Sequence, residues 1–210
     1  MNPAADQGSP QGAVSWPARL HRALMPDYNP KATAYWWTVV ALGAAVLVHA
    51  GVSLADLTPQ AWLQVSVGMA IAMLAGVFPV RIPHSKNSFA AGEIFIFLLL
   101  LIHGPAAASV AAAGEAFVGS YRTSRRWTSR IVSPAMAALA MSAAGGLLQL
   151  LLARADLAGP GAAGLLVLAA MGTALLYFVG NTLLVSAVPR LKAGQRLQPS
   201  DLFGLFGWVG

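Results

Sequence analysis

The chain has 210 residues, 57% of them hydrophobic and only 10% charged, with a formal net charge of +6. A soluble domain carries about a quarter charged residues, so this composition, with apolar runs longer than the roughly 18 residues that mark a membrane span, excludes a water-soluble fold and with it the soluble enzyme classes. Cysteine is absent, which removes disulfide frameworks, thiolate metal sites and cysteine nucleophiles, and the 13 Lys and Arg fall between apolar runs as topology signals rather than as a nucleic-acid surface.

Residues 1–32 read as a cytoplasmic leader. In it Trp16, Leu20 and Leu24 share one helical face while Arg19 and Arg22 take another, the pattern of a helix lying on a membrane. The apolar run Thr33 to Leu54 is too long for the core of a signal peptide and is read as an uncleaved first span. Asp56 and Pro59 interrupt it, and Ala61 to Val80 forms a second span. A polar loop from Arg81 to Ser88, containing Pro83, follows. Two shorter apolar runs come next, Phe89 to Ile102 and Ala106 to Ser120, joined by His103-Gly104-Pro105. Gly-Pro punctuates helices, and each run reaches only about 20 to 25 Å against a hydrocarbon core of about 30 Å, so a thin or half-immersed hairpin is expected. Ile131 to Ala153 and Gly161 to Val188 complete six spans, with 33–189 as the membrane domain and 190–210 as a basic linker and the start of a further helix.

Lysine and arginine counts test this segmentation. With the N-terminus inside, the inside segments hold Arg19, Arg22, Lys31, Arg81, Lys86, Arg122, Arg125, Arg126, Arg130, Arg190, Lys192 and Arg196, and the outside loops hold only Arg154. That asymmetry supports both the six-span count and a cytoplasmic N-terminus, since losing one span would place a basic loop outside. Trp36, Trp37, Trp62 and Trp127 near span ends suit an interfacial aromatic belt. Beyond Ser200 and Asp201, which supply a helix cap, nine apolar residues end at Gly210. They cover only about 14 Å of helix, so this segment is either a re-entrant or interfacial helix or the start of an element in a longer protein.

Ionisable groups inside spans are functional-site candidates by default. Glu93 and Glu115 each lie 11 residues from Gly104, and in an antiparallel hairpin equal distance from the turn means equal depth. Two carboxylates that close cannot both ionise cheaply, so one holds its proton or both need an arginine, for which Arg81, Arg122 and Arg125 stand on the right side. Ala108, Ala111, Glu115 and Gly119 form a small-residue seam that turns Glu115 into the bundle. Structural roles for both acids, capping loops or pairing with arginine, remain open beside a ligand, proton or signalling role. Asn181, between Gly180 and Thr182, and Gln149 read first as helix-packing groups. His49 and His103, on the outer side with Asp56 and Asp156, are weak sensing candidates, and His84 reads as a loop residue. No nucleotide-binding, hydrolase or metalloprotease motif occurs, no metal site or cofactor is indicated, and these residues make no catalytic case.

The segment Phe78 to Pro83, then Ser88 to Phe97, then His103 to Ala108, and the basic loop Ser120 to Trp127 together resemble a known group. They look like the multi-span N-terminal sensor regions of bacterial signalling proteins with GGDEF (diguanylate cyclase) or HD-GYP (phosphodiesterase) output domains, over roughly residues 65 to 135. The resemblance implies an inner-membrane sensory domain acting on a cytoplasmic cyclic-di-GMP output domain in cis. By this resemblance Glu93, Glu115 and the Arg122, Arg125, Arg126 cluster would belong to the signalling part; with Arg81 and Arg130 these arginines make up the expected cytoplasmic basic cluster. No output-domain motif is present in the chain, so the implication holds if the protein is longer. Residues 88 to 119 also resemble the substrate-binding components of energy-coupling-factor vitamin transporters, which bind their ligand in the outer half of the membrane. There His49, His103 and Asn181 are the few polar groups on offer. The expected partners are the lipid bilayer and a second copy of the chain, without nucleic acid.

Overall fold

Asn29 and Pro30 show why the first helix starts where it does. Asn29 has extended backbone (φ −77°, ψ 166°), its Oδ1 accepts a hydrogen bond from the Ala32 amide at 2.8 Å, and Pro30 occupies the first helical position, where its missing N–H costs nothing. The computed structural model describes residues 25, 27–77, 80–81, 88–89, 92–154 and 161–194. The leader helix around Trp16, the loop residues Lys86 and Asp156, and the helix from Ser200 lie outside these residues.

Five helices are present among the described residues: α1 (Pro30–Ala55), α2 (Pro59–Val77), α3 (Glu93–Thr123), α4 (Trp127–Arg154) and α5 (Ala162–Lys192). All five are long and apolar enough to cross a membrane. Between α2 and α3 the backbone makes a short antiparallel ladder, β1 (Val80–Arg81) with β2 (Ser88–Phe89), pairing Val80 with Phe89 and Arg81 with Ser88. This ladder corrects two expected boundaries. The second apolar helix stops at Val77 rather than Val80, and the third starts at Glu93 rather than Phe89, because residues at both ends of the intervening loop pair with each other. At the other end of the chain α5 runs through Pro189 to Lys192. A proline so near a helix end forfeits one hydrogen bond without stopping the last turn.

The 31 residues of α3 are not straight. Gly104 has φ 84° and ψ −176°, a combination open essentially to glycine alone, and Pro105 begins the second leg. In a straight helix Gly92 and Glu115 would stand about 35 Å apart. Instead a Cβ added to Gly92 would collide with the Glu115 carboxyl and lie 2.6 Å from the Ala72 carbonyl oxygen. The same doubling back is visible along α2, where Gly68 faces Leu99 of the first leg and Gly76 faces Glu115 of the second. So α3 is an antiparallel hairpin with legs 93–103 and 105–123, about 16 and 28 Å long.

The centre of the bundle is α4. Its buried positions include Ala135, Ala137, Ala138, Ala140, Ala144 and Gly145, small residues that let α1, α3 and α5 all approach closely. At Gly43 of α1 an added Cβ would lie 2.5 Å from that of Ala135, so these two helices cross nearly backbone to backbone. On the hairpin, Ala107, Ala108, Ala111 and Ala112 are wholly buried; of the expected seam Ala108, Ala111 and Glu115 are buried, while Gly119 is only half-buried and a Cβ there would meet nothing within 4 Å. By contrast α2 buries only Val65 and Ala72, and α5 only Thr173, Tyr177 and Ala187. Their other faces present Leu63, Leu74, Leu168, Met171 and Leu175 outward, as lipid-facing helices do.

Candidate functional site

The hairpin brings the two acids to one cavity. Glu93 is the first residue of its leg, next to Gly92, and Gly92 lies against the Glu115 carboxyl. A carboxylate in a first helical turn is favoured by the unpaired amides there, so backbone geometry alone gives Glu93 a reason to sit at this depth. Glu115 has no such reason. It is in mid-leg, only 8% exposed, and its Oε1 has no hydrogen-bond partner among the described residues.

Both acids line a cavity of about 730 Å³ that continues to the end of the hairpin at Arg122, Thr123 and Ser124. Arg122 is two helical turns beyond Glu115, about 10 Å along the axis. The wall facing the hairpin comes from α4, through Ser129 and Ser133, and from α5, through Tyr177, Asn181 and Val185. Each of these sets has helical spacing of four residues, which puts its members on one face. Tyr177 is held in place by an edge-to-face contact with Phe97, ring centroids 5.9 Å apart, on the leg that begins with Glu93. The result is a cleft lined by hydroxyl and amide side chains, with the two acids in its wall and a guanidinium toward the end of the hairpin.

The basic cluster divides by role. Arg122 belongs to the cavity. Arg126 makes an exposed ion pair with Asp27 at 2.6 Å, and Arg125 shares a smaller surface pocket with Asp27 and Tyr28. Arg130 donates from Nε to the Ser124 carbonyl at 3.0 Å and stacks on the Tyr121 ring at 4.1 Å, holding the turn between α3 and α4. Arg81 is in β1, and its side chain lies outside the description. No ion pair joins either acid to a basic side chain among the described residues.

Asn181 is brought to the acids as part of the cavity wall, while Gln149 is at the opposite end beside Gly104. His103 lines an apolar groove between α2 and the first leg of the hairpin, and His49 is exposed on α1. Among the described residues no three His, Asp or Glu side chains gather as metal ligands. Reasoning from sequence missed Tyr177, Ser129 and Ser133, although the spacing of Tyr177 to Asn181 and of Ser129 to Ser133 was there to be read.

A second arrangement ties this site to the ends of the bundle. The Asn29 side chain that caps α1 also donates through Nδ2 to the carbonyl of Leu191 in the last turn of α5. Tyr35 donates to the Leu184 carbonyl at 2.8 Å, and the Lys192 ammonium lies 3.7 Å from the centre of the Tyr28 ring. The start of α1 and the end of α5 are therefore fastened together, from Leu184, beside the cavity-lining Val185, to the last turn at Leu191.

Comparison with protein-family models, with curated proteins and with solved structures returns no match. The chemistry of the site and the pattern of the sequence carry the functional reading.

Proposed function

We propose that this chain is a membrane-embedded sensory or regulatory domain of the bacterial cytoplasmic membrane. It has six crossings, counting each hairpin leg as one, and the basic end of the bundle faces the cytoplasm. What supports the orientation is the twelve-to-one division of Lys and Arg between the two sides. The observation that carries the regulatory reading is that α5 supplies Tyr177, Asn181 and Val185 to the acid-floored cavity and has its last turn fastened to the start of α1. A change of occupancy in the cavity shifts α5 against α4, and the shift emerges where the chain leaves the membrane. The receiver is a cytoplasmic partner or output domain, and the resemblance of the loops to sensor regions makes cyclic-di-GMP turnover the favoured output.

An uptake component would bind its ligand in the outer half, whereas this cavity is lined by Arg122, at the end of the bundle that the division of Lys and Arg assigns to the inside. The regulatory reading is tested in cells by Glu115→Gln in the protein in its natural context. Expected are normal membrane insertion and cyclic-di-GMP levels changed by about fivefold or more, the lower end of typical coupling between sites. An unchanged level with normally inserted protein contradicts the reading.

A further inference from the structure

The regulatory reading leaves the ligand unnamed, and the inference here rests on that reading for its biological meaning but not for its chemistry. We infer that the cavity between the α3 hairpin, α4 and α5 binds an organic ammonium compound, with its cationic nitrogen held by Glu93 and Glu115. Three observations converge on this class. First, Glu115 is an acid 92% withdrawn from solvent, with an oxygen that no donor among the described residues satisfies, in the wall of a cavity. A buried carboxyl short of donors is costly, and a ligand N–H brought to this carboxyl from the cavity offsets that cost.

Second, the donor set suits an amine better than a metal ion. Hard cations take about six oxygens in a closed shell, several of them usually anionic. Here no third carboxylate or histidine joins the pair among the described residues. An ammonium group needs only three acceptors, and aromatic surface such as that of Tyr177 favours it further. Third, the cavity of about 730 Å³ is far larger than an ion requires and falls within the range of small-molecule sites. Ser129, Ser133 and Asn181 offer acceptors along its length for a second nitrogen or a hydroxyl. Arg122, in the wall toward the end of the hairpin, repels a cationic end and so favours the acids as its place.

The probe is 1,4-diaminobutane, with 1,4-butanediol as its neutral counterpart and magnesium chloride as an inorganic cation at matched ionic strength. The chain in lipid nanodiscs is titrated while thermal unfolding is followed by tryptophan fluorescence. The diamine raises the midpoint saturably, the diol and magnesium do not, and Glu115→Gln weakens the effect by about tenfold or more, the scale of one charge-assisted hydrogen bond. Glu93→Gln, at the start of its leg, gives the same loss and serves if Glu115→Gln fails to insert. No saturable response to the diamine, an equal response to magnesium, or a response unaltered in both variants overturns the inference. If amines fail to bind while Glu115→Gln still alters output in cells, the ligand class falls and the regulatory reading stands. Amine binding with unaltered output sinks the regulatory reading alone.

Discussion

Gly104 determines whether Glu93 and Glu115 meet. Its φ of 84° with ψ near 180° lies outside what a residue with a Cβ adopts comfortably, so Gly104→Ala costs about 1–3 kcal/mol from backbone strain. The added methyl would also lie 3.1 Å from the Gln149 amide nitrogen. Reversible unfolding of the reconstituted protein measures this, and a loss near zero would mean that the turn is not made as described. Gly92 is constrained from outside rather than by its own dihedrals. Gly92→Ala drives a methyl into the Glu115 carboxyl and the Ala72 carbonyl. A destabilisation of about 1–3 kcal/mol is expected. Part of it is relieved when Glu115 is shortened to Ala, and a double-mutant cycle with no coupling between the two positions would contradict their contact.

At the scale of elements, the hairpin was the most legible part of the site. Equal spacing of the two acids about Gly104-Pro105 is a statement of depth once the turn is granted, and it needed no side-chain detail. Where the helices adjoining it begin and end was not legible. The pairing of Val80 with Phe89 joins residues across a loop, a tertiary event that apolar composition does not encode. Tyr177, Ser129 and Ser133 were passed over for a similar reason, since an aromatic in a span and serines near a span end are ordinary features of lipid-facing helices. Only the way α4 and α5 turn toward the hairpin makes them neighbours of the acids. The fastening of α1 to α5 was equally unreadable, because Asn29 and Leu191 are 162 positions apart. Asn29→Ala removes the cap of α1 together with that bond, so a loss of about 1–2 kcal/mol is expected. Asn29→Asp, which keeps the cap acceptor but cannot donate to α5, separates the two contributions; equal stability of Asp and wild type would leave the link to α5 without energetic weight.

For the whole molecule, membrane character follows from composition and from the exposed leucines of α2 and α5, while the internal order comes from the small residues of α4. With Ala and Gly at its contacts, α4 admits three neighbours, and the cleft is lined jointly by the hairpin, α4 and α5. The low charge of the chain thus has a spatial counterpart: basic residues gathered at one end, and two acids set about half the thickness of the hydrocarbon core from the hairpin turn. The most direct test joins positions 93 and 115 covalently. The chain has no native cysteine, so Glu93→Cys with Glu115→Cys introduces the only pair. In membranes, a short bifunctional thiol reagent is predicted to link the two within one polypeptide, as a hairpin that closes the cavity requires. If each cysteine reacts singly with a monofunctional reagent but no link forms, the two positions are apart, as they would be by about 33 Å in a continuous helix, and the paired-acid site does not exist.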